Sequence, residues 1–354
     1  MNRKLLIALG IVLAVALTAC AAVVLPNIVG PGARPTAAPT GTPAPIPTPT
    51  PTPTPVEYAP LSGVQVDVGS LQHPVLMAKI DNNPAARPQI GLNEADIVFE
   101  ELVEGGFTRY LAAWHSVIPK EIGPIRSIRP MDPDIASPFR GLIAYSGGQQ
   151  RFVQMMIATK VKNVIHGQSG TEKYIYRSSK KSAPHNVIVR AAKLVAKRSN
   201  LAPPAPAFQF ARDTDLPSAL AFGKPVGRLI TSFSSLNTPT WKFDAATGLY
   251  RRFQAGGEKD RDEHKKQLTA VNIVVQLVGV SSEFVGVPRT LVVGKGTAWI
   301  STGGHTVKAK WSKKKRTSMT VFTLKSGEVV TLAPGRTWVE LIPTTSGYFT
   351  QKRR

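Results

Sequence analysis

The chain has 354 residues, with 44 Lys+Arg against 22 Asp+Glu and a formal net charge of +22. Hydrophobic residues make up 42%, which excludes a wholly disordered chain and allows one to three domains with a real core. One cysteine excludes an internal disulfide framework and every multi-cysteine metal site, and six scattered histidines leave little for a histidine-based one. Neither a metal nor a cofactor is expected.

Arg3 and Lys4 precede an apolar run from Leu5 to Leu17, which closes on Leu17-Thr18-Ala19-Cys20. This reads as a secretory signal (residues 1–20) ending in a lipobox, with cleavage before Cys20 leaving its thiol to carry lipid. Each buried methylene of an acyl chain contributes about 0.8 kcal/mol, so two or three chains hold a protein firmly. The apolar character continues to about Val29, long enough for an uncleaved spanning anchor, so both forms of tether stay open. In either case the positive end stays inside and the remainder lies on the extracytoplasmic face.

Residues 21–68 read as a Pro/Thr-rich disordered linker, with Pro alternating with Thr or Ile from Pro45 to Pro55. Proline removes backbone donors and no apolar face forms, so polyproline II at about 3.1 Å per residue is expected. The reach is up to roughly 80 Å.

Beyond it, residues 69–202 read as a mixed α/β domain. Val75 to Ile80, Thr108 to Val117 and Leu142 to Ser146 have strand character, while Ala95 to Glu104 is ambiguous between helix and strand. Gln149 to Lys160 has a helical pattern, and Val187 to Ser199 reads as a basic amphipathic helix. Residues 203–227, opening with Pro203-Pro204-Ala205-Pro206, read as an inter-domain linker. From 228 to 345 short strand-like runs alternate with turns at spacings of about 8–12 residues, the pattern of a small all-β sandwich or barrel. Residues 346–354 read as a basic tail. The fold class expected is therefore α+β.

Several segments carry a resemblance. Ala78-Lys-Ile-Asp-Asn-Asn-Pro-Ala-Ala-Arg-Pro-Gln-Ile-Gly-Leu92, Ala95 through Tyr110, Gly123-Pro-Ile-Arg-Ser-Ile-Arg129 and Ala183-Pro-His-Asn186 resemble the YerB-like family of bacterial lipoproteins. Ala270 to Gln276, Gly294 to Thr297 and Pro334 to Trp338 extend the resemblance into the second region. It implies a two-domain, lipid-anchored envelope protein and supplies no reaction. A second, shorter similarity is to the LytR-CpsA-Psr phosphotransferases, which attach anionic polymers to bacterial wall. There Asp96, Arg126 or Arg129, and Tyr145-Ser146-Gly147-Gly148 take the places of the enzyme motifs.

Arg87, Arg109, Arg126 and Arg129 stand in or beside Gly/Pro-rich turns. Guanidinium groups grip phosphate or carboxylate bidentately, so loop arginines suit an anionic ligand; equally, each pairs with Asp81, Glu100, Glu101 or Glu104 to fix a turn. Asp81 sits at a strand end, where α/β folds place functional groups, and Asp81-Asn82-Asn83-Pro84 is also an ordinary Asx turn. His185 with Asn186 is a better functional candidate than His115, which ends an apolar strand. Ser146 before two glycines has the look of a nucleophile turn, with nothing local to activate it. Lys308, Lys310, Lys313, Lys314, Lys315 and Arg316 surround Trp311 on one hairpin-like segment. Outside the cell that charge addresses wall polymers or anionic lipid, or equally marks a solvated hairpin that favours solubility; no nucleic acid is expected.

The reading that results is a membrane-anchored envelope protein. Its ligand site comprises Arg87, Arg109, Arg126, Arg129, Asp81, His185 and Asn186, and it takes an anionic wall polymer or lipid-linked phosphate. The alternatives are a phosphotransferase acting on a lipid-linked pyrophosphate wall precursor and a protein-interaction scaffold for wall synthesis.

Overall fold

Period-two alternation builds the centre of the protein, of which a computed structural model describes residues 55–353. In β1 (Leu76–Asp81), Leu76, Ala78 and Ile80 bury one face and Met77 the other. β2 (Ile97–Leu102), the segment ambiguous in sequence, is a strand, and β3 (Thr108–Trp114) pairs antiparallel with both β1 and β2. β4 (Leu142–Tyr145) and β5 (Lys162–Ile165) follow in parallel on the far side of β1.

The second half of the chain supplies β6 (Arg228–Ser232), β7 (Thr240–Asp244), β8 (Leu249–Phe253), β9 (Asn272–Phe284), β10 (Gly294–Thr302), β11 (His305–Lys313), β12 (Thr337–Pro343) and β13 (Tyr348–Lys352). Four of these continue the first half's sheet. The main path of the twelve-stranded sheet runs β11-β10-β9-β12-β2-β3-β1-β4-β5, with Lys224–Pro225 paired to β11 at its edge. β6, β7, β8 and β13, with Thr269–Ala270, form a separate five-stranded sheet.

The residues 228–345 therefore do not close into an independent sandwich or barrel. β12 joins β2 in parallel, with Thr337 opposite Ile97 and Glu340 opposite Glu100. Both strands are buried along their length, so each needs a neighbour on its open edge and finds it in the other region. The small sheet covers one face, where Leu229, Phe233, Trp241 and Tyr250 pack with Val98, Tyr110 and Trp338. Helices α1 (Asp132–Ala136) and α2 (Gln150–Ile157) pack on the other, through Ile135, Phe152 and Met156. Strand predominates over helix throughout.

Other expectations change with the structure. Residues 203–227 are not a linker: Ala207, Phe210 and Ala219 are core residues, and 218–222 form a helical turn. The end of the expected linker at 57–66 is a small hairpin whose Leu61 is fully buried. The basic tail is largely strand, since β13 pairs with β6. The helix expected from Val187 starts at Ala191 as α3 (Ala191–Lys197), because Val187–Val189 pairs with Ile175–Arg177. The signal segment, Cys20 and the Pro/Thr repeat lie outside the described residues. Among the described residues no helix is long and apolar enough to cross a membrane.

Between the two sheets lies a buried charge network. Arg252 of β8, 0% exposed, reaches Glu100 of β2 at 2.5 Å and Asp260 at 3.4 Å. Its guanidinium faces the rings of Trp338, Trp241 and Tyr110 at 5.0, 5.6 and 5.7 Å. Glu340 accepts the Trp241 indole proton at 2.5 Å. Burial, with Glu100 alongside, holds the Glu340 carboxyl well above the ordinary carboxylate range.

Arg252→Met leaves Glu100 buried without its partner, and a loss of about 3–5 kcal/mol is expected in urea unfolding. Glu340 gives a pH signature. The unfolded chain releases this proton above about pH 4.5 while the folded chain keeps it, so stability falls as pH rises toward neutrality. Glu340→Gln flattens that fall, with an unfolding midpoint at pH 7 equal to or above that of the native chain.

Candidate functional site

The carboxyl ends of β1, β2 and β4 lie at one edge of the sheet, because these strands are parallel to one another. Asp81, Arg109 and Glu101 sit side by side there on β1, β3 and β2, in register and on one face. The loop carrying Gly123 to Arg129 then crosses this edge like an added strand. Asp81 N donates to Pro124 O, Arg126 N to Lys79 O, and Ser146 N to Arg126 O, at 2.7–2.9 Å. Gly147 and Gly148 (φ 62° and 154°) take the chain from β4 into α2, and a Cβ on Gly148 would meet Ile128 at 3.0 Å.

This crossing brings the arginines in. Arg126 Nε lies 3.1 Å from Asp81 Oδ2, and His185 Nδ1 lies 2.7 Å from the same oxygen. Arg109 donates to Ser127 O at 2.8 Å, and Arg129 Nε to Glu104 Oε2 at 2.8 Å. Burial, with Arg129 and Arg126 close by, lowers the Arg109 guanidinium to about 10. Beneath them Lys79 is enclosed by Glu101 and Asp132, and burial lowers it to about 8. Asp132 also accepts the Arg129 backbone N–H at 2.5 Å, so the lysine and the arginine loop share one anchor.

Arg126 approaches Asp81 through Nε. Among the described residues its two Nη groups hydrogen-bond to nothing, and the side chain is 24% exposed. On His185, a proton on Nδ1 donated to Asp81 leaves the Nε2 lone pair free. The arrangement can hold an anionic group against Arg126 and take up a proton beside it.

The other sequence candidates fall elsewhere. Arg87 folds back on Asn82, donating from Nε and Nη2 to its side-chain and backbone oxygens at 3.0–3.1 Å. The Asx turn forms, with Asn83 N donating to Asp81 Oδ1 at 3.1 Å. Asn186 clamps its own loop through Arg177 and Ser178, and it lines an open cleft of about 470 Å³ with Lys181, Glu121 and Glu263. None of the four arginines lines this cleft. His115 is a packed core histidine against His73, and burial lowers it to about 4. Asp96 caps the opposite end of β2, accepting His115 N and Ser116 N at 2.6 and 2.8 Å, so it cannot join Arg126 and Tyr145 as the phosphotransferase resemblance placed it.

One neighbour was missed. Ser146 Oγ lies 3.3 Å from His166 Nδ1. Tyr145 and Ile165 are register partners, so the residues that follow them emerge together. The signal in sequence was a histidine directly after a strand, readable only once β4 and β5 are known to pair.

The geometry defines a sheet-rich protein made from two sequence regions with a charged cluster at one sheet edge. The chain belongs to the DUF3048 family: the N-terminal domain of this family, described as a protein of unknown function, matches residues 61–203, and the C-terminal domain matches 229–339. It is 24% identical over 294 residues to YerB of Bacillus subtilis, provisionally named a lipoprotein, covering 80% of this chain and 86% of that one. The crystal structure of the YerB protein from Bacillus subtilis superposes with a TM-score of 0.70 at 21% identity, over 83% of this chain and 99% of that chain. None of these matches is a LytR-CpsA-Psr phosphotransferase.

Arg87→Ala is expected to cost about 1–3 kcal/mol in urea unfolding, because it removes charge-assisted bonds to the Asn82 turn. Arg126→Ala, which removes a partly solvent-exposed ion pair, is expected to cost less than about 1 kcal/mol.

Proposed function

We propose that this protein is a lipid-tethered, extracytoplasmic envelope protein that binds an anionic envelope group at the edge formed by β1, β2 and β4. The observation that carries the binding site is Arg126: its Nε lies against Asp81, and no hydrogen bond engages either Nη group among the described residues. Arg109 and Arg129 add positive charge behind it, against Asp81 and Glu104. Support for the tether comes from the Leu17-Thr18-Ala19-Cys20 pattern and from the lipoprotein name of the Bacillus subtilis relative.

A phosphotransferase is the second reading, favoured by the Asp81–His185 couple. Asp81 orients the ring and His185 Nε2 serves as general base next to the group that Arg126 holds. The anionic ligand classes are the same for both: a teichoic-type wall polymer or a lipid-linked phosphate.

Thermal-shift titration of residues 55–354 with wall fragments, teichoic-type polymers and prenyl phosphates tests the site. A binder raises the melting temperature by mass action, and the rise shrinks as salt increases. Arg126→Ala and Arg129→Ala abolish it; an undiminished rise places the ligand elsewhere. Cys20→Ser tests the tether: loss of the protein from the membrane fraction supports lipidation, and retention supports the uncleaved anchor.

A further inference from the structure

On the helical face of the sheet, away from the arginine cluster, three hollows share walls. One of about 270 Å³ opens between Phe208, Val321 and Val329. It shares Phe208, Met319 and Phe322 with a small neck-like cavity of about 30 Å³ that Phe99 and Phe139 also line. That cavity in turn shares Asp134 and Val292 with an open hollow of about 360 Å³ at Arg289 and Arg316. Large apolar side chains stand exposed along the rim: Leu291, Val293, Val321 and Val329. Groove and rim are apolar at one end and cationic at the other.

The polar groups here are built in. Asp134 accepts from Arg316 Nε at 2.7 Å and from Arg289 Nη2 at 2.9 Å, and Glu283 takes Arg289 Nη1 at 2.6 Å. Lys313, buried in the neck wall, donates to Ser318 O. Three cations therefore face two carboxylates, and Arg316 is 42% exposed with its Nη groups unengaged among the described residues. Gln276 also lines the neck. It is 2% exposed, and its amide Nε2 has no hydrogen-bond partner. A buried donor left without an acceptor is destabilising, so its retention points to an acceptor that arrives from outside.

We propose that this groove binds a single-chain anionic amphiphile, with the tail threaded between Phe99, Phe208, Met319 and Phe322 and the head held at Arg316, Arg289 and Lys313. The orphan Gln276 amide meets an oxygen near the head. Nothing in this site involves Arg126, so it stands or falls separately from the function proposed above.

The test is calorimetric titration of residues 55–354, which hold every strand and core residue described, with dodecyl phosphate below its micelle concentration. Dodecanoate is the arm that separates a carboxylate head from a phosphate one. Inorganic phosphate presents the head alone, and dodecyl maltoside the tail with a neutral head. Saturable binding of either anionic amphiphile is expected, at least about tenfold tighter than the maltoside, with none for phosphate. Arg316→Gln weakens it about fivefold and Met319→Trp, which fills the neck, abolishes it, while Arg126→Ala leaves it unchanged. Circular dichroism confirms that each variant is folded. Equal affinity for the maltoside, binding undiminished in Arg316→Gln and Met319→Trp, or loss in Arg126→Ala would overturn the proposal.

Discussion

The pairing of β12 with β2 is the constraint on which the rest depends. It places Glu340 beside Glu100, two carboxyl groups on neighbouring strands that are both fully shielded from solvent. Such a pair is tolerable only if a cation neutralises one member and a proton the other. Arg252, delivered by the small sheet, supplies the cation, and burial keeps the proton on Glu340. The small sheet is thus fixed on the large one by charge as well as by the contact of Trp241 with Trp338, whose ring centres lie 5.1 Å apart.

The same face rule governs the outer cluster. Because Glu100 points toward the small sheet, its neighbour Glu101 must point the other way, where it meets Lys79. The ladder Asp81, Arg109 and Glu101 follows from strand register alone, and the crossing loop sets Arg126 and Arg129 above it. Charges of both signs are packed together there, and each arginine is only partly satisfied by the chain's own acids.

Much of this was legible in the amino-acid order. Strands from Val75, Thr108, Leu142 and most of those beyond 228 stand close to where alternation put them, because their apolar residues recur on one face. The Asx turn at Asp81 and the family resemblance were legible for a related reason: both rest on contiguous residues. What escaped the reading depends on contacts across long separations. Nothing near Thr337 announces Ile97 as its partner, so a continuous sheet looked like two separate units. Prolines at 203–206 read as a break, although Ala207 donates to Pro60 O and Phe210 fills the space above Gly63. His166 and Ser146 were each visible, but their meeting required the pairing of β4 with β5.

Helix α1 is a single five-residue turn with every residue buried. Asp132 on it holds Lys79 and the Arg129 backbone; Asp134, two positions on, holds Arg289 and Arg316. One buried turn thus anchors two groups of cations, and a substitution that unwinds it would release both together.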